Sequence, residues 1–172
     1  MKNSLLTACF FLLALTTFAQ KVEINNNGFF LKGKKVTKAS TMVDIETIMG
    51  KPDKIFPLAN IIWTYDNLGI YIYFAPGDST LKHISFDLIK HDLKFSPANP
   101  FKGSFVIHNN LVGKRSSLSK LKKIKAVRFE ENPVYLDPAY TSYVKIYFEF
   151  DAAKASLLYA GVSLNFKNDV EN

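Results

Sequence analysis

Gly69-Ile70-Tyr71-Ile72-Tyr73-Phe74 is the stretch on which the fold turns, because apolar side chains recur through it with the period of a strand. It is matched by Tyr143-Val144-Lys145-Ile146-Tyr147-Phe148, 74 residues further on, with apolar positions falling on apolar positions. Working outward, Ile84-Ser85-Phe86-Asp87-Leu88 is matched by Val162-Ser163-Leu164-Asn165-Phe166 at an offset of 78. Upstream, Met42, Ile45 and Ile48 correspond to Leu118, Leu121 and Ile124 at 76, and Phe30-Leu31 to Phe105-Val106 at 75. Four elements in one order at nearly constant spacing imply an internal duplication.

Local signals give each copy the same parts. Thr41 is a good N-cap, Asp44 stands in the first turn, Met42, Ile45, Ile48 and Met49 share a face, and Gly50 with Pro52 stops the helix, so a short helix is predicted over 42–49. Period-two runs at 61–65, 69–74 and 81–88, separated by Asp66-Asn67 and Pro76-Gly77-Asp78, predict a three-stranded antiparallel meander. In the second copy a strand near 105–108 turns at Asn109-Asn110, a helix starts near Ser116 or Ser117, and strands follow at 143–150 and 156–166. The fold class is therefore α+β, two tandem copies of a short helix packed on an antiparallel meander: a first α/β repeat at 20–93, a linker at 94–103 rich in proline and glycine, and a second repeat at 104–172.

Residues 1–19 read as a signal peptide: Lys2 is the positive n-region, 5–18 is an apolar run, and Thr17-Phe18-Ala19 places cleavage between Ala19 and Gln20. The run is shorter than the roughly 20 residues of a membrane span, so no transmembrane helix is expected after processing, and the chain is assigned to the periplasm or the medium. Cys9, the sole cysteine, leaves with this segment, which excludes disulfides, thiolate metal sites and cysteine nucleophiles. After loss of Lys2 the chain holds 21 basic residues against 15 acidic ones, and seven of the basic ones (Lys114, Arg115, Lys120, Lys122, Lys123, Lys125 and Arg128) occupy one acid-free stretch. Outside the cytoplasm such a patch meets an anionic envelope component or an acidic protein rather than nucleic acid.

Met49-Gly50-Lys51-Pro52-Asp53 at the helix end, followed by Trp63-Thr64-Tyr65 leading the meander, resembles the repeat unit of the β-lactamase-inhibitor-protein-like fold shared by outer-membrane assembly lipoproteins of the SmpA/OmlA type. It is more similar still to a family of exported Bacteroidota proteins, built on a domain of unknown function, with a Gly-Lys-Pro-Asp turn and a Tyr-Asp-x-Leu-Gly-Ile strand entry. The resemblance spans about residues 28–167 and implies a tandem α/β architecture whose sheet face binds another protein. The second copy departs from it, carrying Val127-Arg128-Phe129-Glu130 in place of the Gly-Lys-Pro turn.

Signals for chemistry are sparse. His83, Ser85 and Asp87 share one strand face, yet such neighbours stand about 7 Å apart, too far for a serine-activating relay. His91 and His108 lack metal-ligand spacing, and no glycine-rich phosphate loop occurs, so no catalytic residue, metal or cofactor is assigned. If Ile70, Ile72, Ile84 and Phe86 face the helix, Tyr71, Tyr73 and His83 face away, as do Tyr143, Lys145 and Tyr147 in the second copy. A sheet face rich in tyrosine has the composition of a recognition surface. The reading is a non-enzymatic exported binding module that engages a protein or envelope partner through an open sheet face. An inhibitor or immunity factor of a secreted enzyme or toxin, and a small-ligand carrier or hydrolase with its site between the repeats, are the alternatives.

Overall fold

A computed structural model describes residues 20–77, 79–124, 127–129, 134–136, 145–151 and 156–163. The signal segment through Ala19, Lys125, Tyr143, and the side chains of Arg128, Lys145 and Tyr147 lie outside the described residues. In chain order the elements are β1 (Lys21–Asn25), β2 (Gly28–Leu31), β3 (Lys34–Val36), α1 (Met42–Met49), β4 (Lys54–Pro57), β5 (Ile61–Tyr65), β6 (Ile70–Phe74) and β7 (Leu81–Asp87). They continue with β8 (Ser104–Ile107), β9 (Asn110–Val112), α2 (Leu118–Leu121), β10 (Val127–Phe129), β11 (Val134–Leu136), β12 (Lys145–Asp151) and β13 (Ser156–Ser163).

The class is α+β, as the periodicity implies. Helix α1 forms where predicted, closed by a capping box in which the Thr41 side chain accepts from the Asp44 backbone while Asp44 accepts from the Thr41 backbone. The predicted meander is β5, β6 and β7, each antiparallel to the next. Beyond it, strands from both halves share the two larger sheets. The described strands form a five-stranded sheet ordered β3-β2-β1-β8-β9, a six-stranded sheet ordered β12-β13-β7-β6-β5-β4, and the β10-β11 pair. β1 runs parallel to β8, with Val22 opposite Phe105, and β13 runs antiparallel to β7, with Val162 opposite Ile84.

One apolar core fills the space between these sheets. Val22, Ile24, Phe29 and Phe105 from the first meet Ile72, Ile84, Phe86 and Phe148 from the second, and Ile45 of α1 and Leu121 of α2 are buried in the same cluster. Phe105 joins the layers directly, its ring centroid 5.1 Å from that of Phe86 and 5.5 Å from that of Phe148.

The hairpins preceding the helices are built alike. Lys32-Gly33 turns β2 into β3 and His108-Asn109 turns β8 into β9, with positive φ at all four residues, as two-residue primed turns require. Phe29 pairs with Val36 and Phe105 with Val112, which places the correspondence of these strands at 76 residues rather than 75 and the second turn one residue earlier than Asn109-Asn110. Ser40 Oγ accepts from Thr37 N at 3.0 Å, and Ser116 Oγ accepts from Gly113 N at 3.0 Å, just ahead of each helix.

Candidate functional site

Tyr71 and Tyr73 fall on the side of the sheet that alternation assigns them, but that face is partly covered. Thr64, Tyr71, Tyr73, His83, Ser85, Asp87 and Tyr159 line the surface of the six-stranded sheet opposite the core, with Tyr71 paired to Ser85, Tyr73 to His83 and Asp87 to Tyr159. The segment 88–103, a strap, lies over part of it around Phe95 and then returns to the core, where Phe101 packs against Phe86 and Phe105. Phe95 packs edge-on against Tyr71, with ring centroids 5.6 Å apart, and its carbonyl accepts from Thr64 Oγ1 at 2.8 Å. Ala98 N donates to Asp66 Oδ1 at 3.0 Å, Asn99 N to the Asp66 carbonyl at 3.0 Å, and Phe101 N to the Asp87 carbonyl at 2.6 Å. Tyr71 is left 6% exposed, and Tyr73 and His83 are half-buried. The stretch expected as a linker is thus tethered to the sheet, and Phe95 covers Tyr71 of the expected docking face while Tyr73 and His83 stay partly exposed.

Beside Tyr71 on the same face lies a polar seam. Tyr159 OH stands 2.5 Å from Ser85 Oγ and 3.1 Å from His83 Nε2, bridging two groups too far apart on β7 to meet. Burial pushes the His83 imidazole down to about 4, so it is neutral at pH 7. Ser85 is 0% exposed and shared with a phenol, a setting in which its hydroxyl has no path to a substrate. Asp87 is 2% exposed, and neither carboxylate oxygen has a hydrogen-bond partner among the described residues. Burial raises it to about 6, while the nearby His91 pulls the other way.

The basic residues make a different site. Lys114, Arg115 and Lys120 line a groove of about 810 Å³ together with Lys102, Pro100, Phe101 and Leu111. The turn at 113–116 is fixed by the Ser116 hydroxyl and by Leu157 of β13, whose N–H donates to the Lys114 carbonyl at 2.9 Å. Ser117 caps α2, a helix of only four residues, so most of the basic run lies on a turn and not on a helical face. Among the described residues no acid lines the groove and none of its four cationic side chains has an ion pair. Lys122 and Lys123 are exposed but stand outside its lining. Lys102 escaped sequence reasoning because it lies twelve residues before the basic run, and Tyr159 because nothing local ties it to His83; pairing of β13 with β7 is what brings it there.

A crystal structure of an extracellular protein containing a SCP domain from Bacillus anthracis str. Ames is similar to 76% of this chain, with 12% identity and a TM-score of 0.41. The chain spans about half of that protein's length, the matched share being 48%. No curated protein matches it. Residues 21–122, running from β1 through α2 and including the strap and every lining residue of the basic groove, match the domain of unknown function DUF7738, and the chain belongs to that family.

Proposed function

We propose that the chain is an exported, non-enzymatic binding module, working in the periplasm or outside the cell, whose contact surface is the basic groove and whose partner is an anionic component of the cell envelope. The observation that carries this reading is the grouping of Lys102, Lys114, Arg115 and Lys120 around one concavity without a neutralising acid among the described residues. Cations left unpaired in a concave surface favour an anionic occupant, because the field they share is focused there. Export rests on the leader read at 1–19. A non-enzymatic role is favoured because Ser85 and Asp87, which share a strand face with His83, are both buried. We read the two halves as copies of one unit of the assembly-lipoprotein type, since both build a primed hairpin, a serine-pinned turn and a capped helix at a common spacing.

The test is crosslinking in the native host followed by recovery of the tagged protein. Lys114→Glu, Arg115→Glu and Lys120→Glu combined should lower recovery of the envelope partner at least roughly tenfold, with an effect that salt mimics in the parent protein. Tyr73→Ala should leave recovery unchanged. The opposite pattern would move the contact surface back to the tyrosine-bearing face.

A further inference from the structure

The composition of the groove says more than its charge. A site for a bare inorganic anion needs donors alone, whereas here the lining also includes Leu88, Pro100, Phe101 and Leu111. Leu111 is 57% exposed on β9, an edge strand of the five-stranded sheet, so the lining presents apolar surface to whatever enters. The volume, about 810 Å³, is on the scale of sites that enclose one small molecule (roughly 300–1,000 Å³), whereas a protein partner needs a broad surface of roughly 800 Å² on each side.

We propose that the groove holds a small amphiphilic anion, its acidic headgroup on Arg115, Lys114 and Lys120 and its apolar body along Leu111 and Pro100. The inference rests on the binding-module reading above and narrows its partner to a molecule with a phosphate or carboxylate on a hydrocarbon skeleton. Arg115 suits such a headgroup because the guanidinium fork meets two oxygens at once, while lysines act as point charges around it. The strap supplies one wall through Pro100, Phe101 and Lys102, and the turn at 113–116 the other, so the ligand sits where the two halves of the chain meet. Gly113 lines this space, and a Cβ placed on it meets nothing within 4 Å. A side chain introduced there adds bulk to the groove and leaves every charge in place.

Isothermal titration with dodecyl phosphate, kept below its micelle concentration, tests the proposal on the processed full chain. One-to-one saturable binding is expected, with inorganic phosphate at least roughly a hundredfold weaker, because each buried methylene adds about 0.8 kcal/mol. Neutral dodecyl maltoside should bind at least roughly tenfold more weakly than dodecyl phosphate, because the charge contact is then missing. Lys114→Ala with Arg115→Ala, Leu111→Ser, and Gly113→Leu should each weaken dodecyl phosphate, the first and last by roughly tenfold or more, with melting temperatures showing that each variant folds. A second arm uses vesicles of phosphatidylcholine with phosphatidylglycerol to separate a lipid headgroup in a bilayer from a free amphiphile. Binding to vesicles that Gly113→Leu leaves intact, together with no binding of the monomer, means adsorption on a charged surface and overturns the proposal. So does phosphate or the maltoside matching dodecyl phosphate. If dodecyl phosphate fails while the charge-reversed groove still loses its crosslinked envelope partner, this inference falls and the binding-module reading stands; loss of both results removes both.

Discussion

The hydroxyl of Tyr159 stands 3.1 Å from Nε2 of His83, although 76 residues separate them in the chain. It also meets Ser85 Oγ, so a single phenol on β13 completes a seam that β7 presents but cannot close. Tyr159→Phe leaves a fully buried serine hydroxyl and a half-buried imidazole without this partner, and should cost roughly 1–3 kcal/mol. Ser85→Ala made on top of it should cost less than Ser85→Ala alone, with a coupling of at least about 0.5 kcal/mol. Urea denaturation of the four-protein cycle measures this; additive losses would mean the hydroxyls do not act together.

His83 and Asp87 set opposite pH dependences on the same strand face. The imidazole sits at about 4 in the fold against 6.5 when free, so the stability its neutrality contributes is complete above about pH 6.5 and drains away as pH falls towards 4. The carboxyl sits at about 6 against 3.8, so the stability its protonated form contributes is complete below about pH 3.8 and is lost as pH rises to 6. Between pH 4 and 6 the two slopes should nearly cancel. His83→Gln should therefore leave a protein that weakens as pH rises through this window, and Asp87→Asn one that strengthens, each by on the order of 2 kcal/mol. Denaturation midpoints at three pH values decide it, and parallel profiles for both variants and the parent would contradict the assignment.

The strap depends on a few side-chain anchors. Thr64→Val keeps the shape of the buried threonine but deletes its donor to the Phe95 carbonyl, and should cost about 1 kcal/mol while loosening the strap locally. Limited trypsin digestion should then cut after Lys94 sooner than in the parent protein. Unchanged cleavage at that site would mean that the Asp66 and Phe101 contacts hold the strap by themselves.

Gly69 marks where the strap passes closest to the sheet. Its φ is +68°, and a Cβ there would lie 2.0 Å from the backbone N of Phe101. Gly69→Ala should cost more than about 3 kcal/mol, because both the left-handed backbone and the neighbouring main chain oppose it. Gly77→Ala, with nothing within 4 Å of the added carbon, should change stability by less than about 0.5 kcal/mol. Calorimetry separates the two, and equal melting temperatures would rule out the close approach.

Local rules carried the reading of helix α1, of the β5–β7 meander and of the sides on which Tyr71, Tyr73 and His83 lie, because each depends on neighbours within a few residues. Alternation tells which way a side chain points and is silent on what covers it. Phe95 reads as part of a linker until the Thr64 and Asp66 anchors draw its segment over the sheet. The same limit hid the pairing of β1 with β8 and of β7 with β13, since no local pattern records which distant strand will be a neighbour. Lys114, Arg115 and Lys120 were legible as a charge run, but Lys102 and the apolar lining residues that turn a run into a groove join only through that long-range pairing.

The place of β1 at the centre of its sheet has a kinetic consequence. Lys21–Asn25 finds β2 after a two-residue turn, but its other edge stays bare until Ser104–Ile107 arrives, a closure whose loop spans almost half the protein. During that interval Val22 and Ile24 belong to an unfinished ribbon, open to any other extended chain nearby. Assembly of this protein should therefore be slow, sensitive to concentration, and aided by chaperones that shield strand edges.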